Sequence, residues 1–235
     1  MKKILLIVFI SIINLNCFAQ KIQTKNIQLS ENQIDSIFSD SLLNHLNIDF
    51  PIAKIYKYTD KSGTNFIILT EKSTVKKNDK FEQDSLKAFN FRYINGSYFL
   101  NWSIIDFVKT ERYIEPEDSI GFWTKYLKLE DFNKDGLIEP VIVYGTYGKS
   151  YVGEARVKIL TFYKGKKRAI RNQNSEYDRF RFTKVDSMFY KLPNEIQKNV
   201  KKVITDMHNN SHASFPPNWE KDMLNKKLNF DDKIY

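Results

Sequence analysis

A single cysteine, Cys17, stands among the 235 residues, close to the N-terminus. If the first 19 residues are removed, the remaining 216 contain none, which excludes disulfides, thiol catalysis and cysteine-based metal sites. Long apolar runs are also missing. Ile4–Ile13 is apolar apart from Ser11, and ten residues fall well short of the roughly 20 that span a bilayer as a helix. Histidine is nearly absent. His45 stands alone, and His208 and His212 are four apart in a stretch, "MHNNSHASFPP", whose Asn-Asn-Ser interrupts a helix and offers no acidic third ligand. No Ser-His-Asp or Cys-His arrangement can be assembled, and the acidic residues are too scattered to nominate a glycosidase pair. "GTYGKS", residues 145–150, has two residues between its glycines where a phosphate loop needs four, so it reads as a tyrosine-rich loop after a strand.

What is present at the N-terminus points to export. Lys2 and Lys3 precede the apolar stretch, and Cys17-Phe18-Ala19 offers small residues where a signal peptidase reads. The expectation is a signal peptide over 1–19, cleaved before Gln20, and a single exported domain over 20–235. The alternative is a lipoprotein acylated at Cys17, against which Asn16 stands where a small residue is usual. No transmembrane segment is expected in the mature chain. The formal charge of +9 becomes +7 when Lys2 and Lys3 are lost. A basic exported protein suits anionic envelope polymers, acidic glycans or phosphate-bearing headgroups, and nucleic acid is not an expected partner there. The alternative is that the charge only maintains solubility.

Periodicity predicts an α+β fold. Ser30 and Gln33 match a capping box ahead of Ile34, Ile37, Phe38, Leu42 and Leu46, so one amphipathic helix is expected over about 31–46. From Ile52 the period becomes two. "AKIYKYTDKSGTNFIILTE" reads as a hairpin turning at Gly63, and "LKAFNFRYINGSYFLNWSIIDF" as another turning at Asn95-Gly96. The charged "KSTVKKNDKFEQDS" between them reads as a solvated loop. "FWTKYLKLEDF", "PVIVYGTY", "ARVKILTFY" and "KRAIRNQ" supply four further strands. Helical spacing returns after Pro193, with Ile196, Val200, Val203, Ile204 and Met207 in one stripe, and Pro217 opens a short last helix carrying Trp219 and Met223. The expected architecture is a meandering antiparallel sheet of about eight strands with an N-terminal helix and C-terminal helices.

Two stretches carry candidate chemistry. In "EDFNKDGLIEP", Asp131, Asn133 and Asp135 hold positions 1, 3 and 5 of a calcium-type loop, with Gly136 at the sharp bend, the Leu137 carbonyl at position 7 and Glu139 at position 9. Calcium takes six to eight oxygen ligands, and alternate residues of a tight turn can aim oxygens at one centre. Position 12 is Ile142 rather than a bidentate glutamate, so an EF-hand is excluded. The loop resembles the D-x-N-x-D-G-x-x-E loops between strands of FG-GAP and VCBS-type modules, in which calcium is structural. The competing reading is a polar turn whose Asp and Asn side chains cap their own backbone. In "RAIRNQNSEYDRFRF", Arg171, Gln173, Asn174 and Asp178 gather planar hydrogen-bonding groups at a strand exit, as a carbohydrate or carboxylate site requires. There the alternative is a solvated loop with surface ion pairs.

"DFNKDGLIEPVIVYGTYG", "KILTFYKGKKRAIRNQN", "FYKLPNEIQKNV" and "FPPNWEKDM", in that order, resemble an exported family of Bacteroidota labelled surface polysaccharide biosynthesis proteins. The likeness implies a cell-envelope role and brings no catalytic residue. Three functions are therefore weighed: a non-enzymatic envelope protein that binds or helps assemble surface glycan, an enzyme acting on such a polymer, and a structural secreted domain with a protein partner.

Overall fold

A computed structural model describes residues 25–75, 81–109, 117–148, 155–175, 177 and 180–231. The expected signal segment, 1–19, lies outside them. Five strands form the first sheet: β1 (Lys25–Gln28), β2 (Ile52–Asp60), β3 (Gly63–Val75), β4 (Phe81–Ile94) and β5 (Ser97–Phe107), each paired antiparallel with the next. The second holds β6 (Glu117–Phe122), β7 (Lys128–Glu130), β8 (Glu139–Gly148), β9 (Arg156–Tyr163), β10 (Lys166–Gln173), β11 (Phe182–Val185) and β12 (Asn229–Asp231). Its order is β12-β11-β10-β9-β8-β6, and β7 pairs with the start of β8 where β6 leaves off.

The two sheets face each other across an inner core. Ile67, Leu69, Leu86, Ala88 and Ile104 of the first meet Ile120, Ile142, Leu160, Phe162 and Ala169 of the second. Helices cover both outer faces. α1 (Glu31–Ile37) and α2 (Asp40–His45) lie over Ile55, Phe66, Ile68, Phe89 and Phe91, while α3 (Asn194–Asn209) and α4 (Trp219–Leu224) cover Val141, Val143, Val157, Ile159 and Ile170. The layers are therefore helix, sheet, sheet, helix. A strand covered on both faces gains nothing from alternation, which is why β3 carries "FIILT" and β8 "PVIVY" as continuous buried runs. Each such Ile or Leu contributes about 1.5–3 kcal/mol when fully buried.

The α+β class and the antiparallel pairing agree with expectation; the one expected sheet is two, because strands apolar on both faces need a second sheet as well as helices to cover them, and the detail differs in three further places. The strands number twelve among the described residues, because β1, β11 and β12 are only three or four residues long. In addition, "FWTKYLKLEDF" is broken by a 3₁₀ turn at Thr124–Tyr126. The first helix is two helices. Phe38 leaves helical geometry to bury its ring against Phe66 and Tyr98, at centroid distances of 5.3 and 5.7 Å, and the Ser39 hydroxyl caps α2 by accepting from the Leu42 N–H. The charged loop between the first hairpins is shorter than expected, since β3 runs on to Val75 and β4 begins at Phe81. Among the described residues, no helix is long and apolar enough to cross a membrane.

Candidate cation site at the loop between the two short strands

Residues 131–138 connect β7 to β8, and two apolar anchors fix them. Phe132 packs into the core beneath α3, and Ile138 packs into the core between the sheets, so the loop is pinned on opposite faces of β8. Between the anchors the backbone turns sharply, with positive φ at Lys134 (60°) and Gly136 (89°). A side chain at Gly136 would be strained by that φ, and its Cβ would lie 3.2 Å from Lys61 Cδ.

The turn is dense with bonds to acidic oxygens. Asp131 accepts from the N–H groups of Asp135 and Gly136 at 3.1 and 2.9 Å. Asn133 Oδ1 accepts from the Asp135 N–H at 2.9 Å, and its amide donates to Asp135 Oδ2 at 3.2 Å. The Leu137 N–H donates to Asp135 Oδ1 at 2.9 Å. These bonds alone describe a turn that caps itself. Glu139 does not fit that description. It is 1% exposed, and its Oε2 accepts from the Phe132 N–H at 2.9 Å, yet its Oε1 is buried with no hydrogen-bond partner among the described residues. An unpaired buried carboxylate oxygen is costly. Burial pushes the Glu139 carboxyl up to about 7; the Phe132 N–H opposes this, and the charges of Asp135 and Asp131 reinforce it.

Asp131, Asp135 and Glu139 each offer an oxygen within 4.8 Å of the other two. The group is an acidic triad fit to hold a metal ion, and Asn133 and Leu137 are tied to it through Asp135. Asp60, in the turn between β2 and β3, went unnoticed in the sequence, where it looked like an ordinary turn residue. One of its oxygens accepts from Ser62 N–H and hydroxyl, at 2.7 and 2.6 Å, and the other accepts from the Ile138 N–H at 3.0 Å. The Lys61 N–H donates to the Gly136 carbonyl at 2.8 Å. The acidic loop is thereby fastened to the first sheet as well as to its own.

The second candidate region divides. Arg171 and Gln173 line a concavity of about 320 Å³ over β9 and β10, together with Lys109, Arg156, Lys158 and Phe182. Arg171 pairs with Asp186 at 2.7 Å, with side chains 41% and 33% exposed. Gln173 and Asn174 are buried: the Gln173 amide donates to the Asn174 carbonyl, and Asn174 Oδ1 accepts from the Asn172 amide and the Ser214 N–H. Asn174 does not line the concavity, and Asp178 lies outside the described residues. The stretch from Arg168 to Gln173 belongs to β10 itself rather than to a loop after it. His212 lies beyond the end of α3, where its Nδ1 meets the Tyr126 hydroxyl at 2.6 Å. "GTYG" belongs to β8.

Comparison with protein-family models, with curated proteins and with solved structures gives no match to this chain.

Proposed function

We propose that the protein is an exported, non-enzymatic domain of the cell envelope that binds a glycan or another anionic envelope polymer. In this reading a structural calcium ion, held by Asp131, Asn133, Asp135, the Leu137 carbonyl and Glu139, fastens the fold. The observation that carries the calcium reading is the buried, unpartnered Oε1 of Glu139 beside two further carboxylates. A self-capped turn leaves that oxygen unexplained, whereas a divalent ion offsets two of the three negative charges and gives it a partner. An all-oxygen donor set in a flexible turn suits calcium better than magnesium, which demands near-ideal octahedral geometry and keeps its waters. The ion's role is structural because the loop joins the sheets through Asp60 and Lys61. Support for the envelope role comes from the signal-like N-terminus, the basic balance and the likeness to exported surface-polysaccharide proteins.

Calorimetric titration of the mature chain tests the site. One calcium per chain is expected, with Kd in the ~10⁻⁴–10⁻³ M range of extracellular modules, magnesium binding more weakly and Glu139→Gln abolishing the heat. Equal heats for Glu139→Gln and wild type would reject the assignment. The polymer reading is tested by retention of envelope polysaccharide on immobilised protein. It fails if nothing is retained and a deletion strain keeps its surface polysaccharide unchanged.

A further inference from the structure

The inner core does not stay apolar to its end. On β2, β3 and β4 the rows that carry Ile67, Leu69, Leu86 and Ala88 continue, toward the β2–β3 turn, as Asp60, Tyr58, Asn65, Asn90 and Arg92. Together with Pro140 and Phe162 of the second sheet and Lys164 of the β9–β10 turn they line a cleft of about 290 Å³, at the small end of ligand sites, ~300–1,000 Å³.

Its construction is specific. Asn90 pairs with Trp102 and Phe91 with Leu100, so Asn101 is the extra residue of a bulge in β5. Adjacent strand residues ordinarily point to opposite faces, and a bulge re-aims one of them. Here both Asn101 and Trp102 line the cleft. The Asn101 amide donates to Asn90 Oδ1 at 2.7 Å and to Asn65 Oδ1 at 3.2 Å, and the Asn90 amide donates to the Tyr58 hydroxyl at 3.2 Å. These bonds fix the orientation of three amides in advance of any ligand. Trp102 lies flat on Phe162, with centroids 3.7 Å apart and planes at 12°, giving a rigid aromatic wall.

Arg92 is the unexplained member. Its Nε is buried without a partner, and no hydrogen bond or ion pair engages its guanidinium among the described residues. Asp60, the carboxylate in the lining, already accepts from Ser62 and Ile138, and Lys164 adds a second cation. A buried guanidinium nitrogen given no acceptor is unfavourable, and the rest of the group, open to the cleft, is free to take an anion from a ligand.

We infer that this cleft binds one carboxylate-bearing sugar ring of a polysaccharide, a uronic acid. Arg92 takes the carboxylate, Asn101 takes ring hydroxyls, and the Trp102–Phe162 pair supports the apolar side of the ring. The inference rests on the glycan reading above and narrows it to a site and a ligand class.

The test is calorimetric titration of the calcium-loaded mature chain with tri-galacturonate and tri-mannuronate, with their carboxyl-reduced counterparts, and with acetate. At least one acidic trisaccharide binds about tenfold or more tightly than its reduced form, and acetate alone does not bind. Arg92→Gln weakens the acidic ligand about 10- to 100-fold, the loss of a charged hydrogen-bonding partner, and leaves the reduced form unaffected. Arg92→Lys keeps the charge without the fork and falls between. Asn101→Ala, at an exposed bulge, weakens both forms, and Arg171→Ala, in the other concavity, is the comparison that tells the two places apart. Equal binding of acidic and reduced sugars overturns the inference. So do binding of acetate as tight as the sugar, loss of binding through Arg171 in place of Arg92, and no binding of any trisaccharide. If polymer retention persists in any of these cases, the glycan reading stands and only this cleft is rejected.

Discussion

Asp106 is held by two cations inside the edge of the sandwich. Lys158 Nζ lies 2.5 Å from its carboxylate and Arg156 lies 3.5 Å away, while Arg156 also bonds Glu117, itself 2% exposed. Burial alone would raise the Asp106 carboxyl. The Lys158 hydrogen bond and the charges of Lys158 and Arg156 outweigh it and hold the group below its ordinary 3.8. A depressed acid contributes stability that is full above the unfolded pKa and lost as pH falls through the folded one. Urea unfolding is therefore expected to show an extra loss of stability as pH drops below about 4. Asp106→Asn should flatten that acid limb and cost about 1–3 kcal/mol at neutral pH, because the half-buried Lys158 loses its acceptor while Arg156 keeps Glu117. An acid limb of unchanged steepness in Asp106→Asn would show that the pair contributes little. None of this network was visible in "ARVKILTFY". Arg156 and Lys158 alternate with Val157 and Ile159 as solvent-facing residues would, and nothing in a strand's own pattern reveals that the open side is roofed by another segment.

At the scale of elements, local signals were strong where a turn or cap fixed the outcome. Asn95-Gly96 turns the β4–β5 hairpin with φ of 48° and 85°, and Ser30 with Gln33 forms the anticipated capping box. They were weak where tertiary contact decides. The helical stripe from Ile34 to Leu46 gives no warning that Phe38 breaks it, because the break exists to place one ring against Phe66 on the sheet. Phe38→Ala is expected to cost about 3 kcal/mol in urea unfolding, as truncation of a buried aromatic does. A loss under about 1 kcal/mol would mean that the two short helices are not docked by that ring. Gly145 is a second case. It sits in β8, where a Cβ would come within 2.7 Å of the Trp123 ring and 2.9 Å of the Arg156 carbonyl oxygen. The glycines of "GTYGKS" thus include one required by packing rather than by a phosphate. Gly145→Ala should destabilise by about 2–3 kcal/mol, the scale of overpacking, and an unchanged denaturation midpoint would contradict that packing.

For the whole molecule, four layers without a cysteine in the described residues leave stability to apolar burial and to whatever joins the sheets. Polar bonds join the sheets at more than one place: Lys158 and Arg156 reach Asp106 of β5, and another set gathers at the acidic loop. Ile138 donates to Asp60, Lys61 donates to Gly136, and the acidic triad lies in the loop that makes both bonds. The triad was legible in the sequence because Asp131, Asp135 and Glu139 stand four apart within nine consecutive residues. Its partner turn and the polar cleft were not, because Asp60, Asn65, Asn90, Arg92 and Asn101 come from four strands and meet only when those strands pair in the first sheet. Thermal unfolding of residues 20–235 in millimolar calcium against chelator, repeated with Asp135→Ala, tests the central claim most directly. A ligand that binds only the folded state stabilises it by about 0.4–1.4 kcal/mol at one to ten times Kd, the range millimolar calcium reaches. The expected result is a calcium-dependent rise in melting temperature for the wild type that disappears in Asp135→Ala. Identical melting with and without calcium in the wild type, or a rise that survives the substitution, would contradict it.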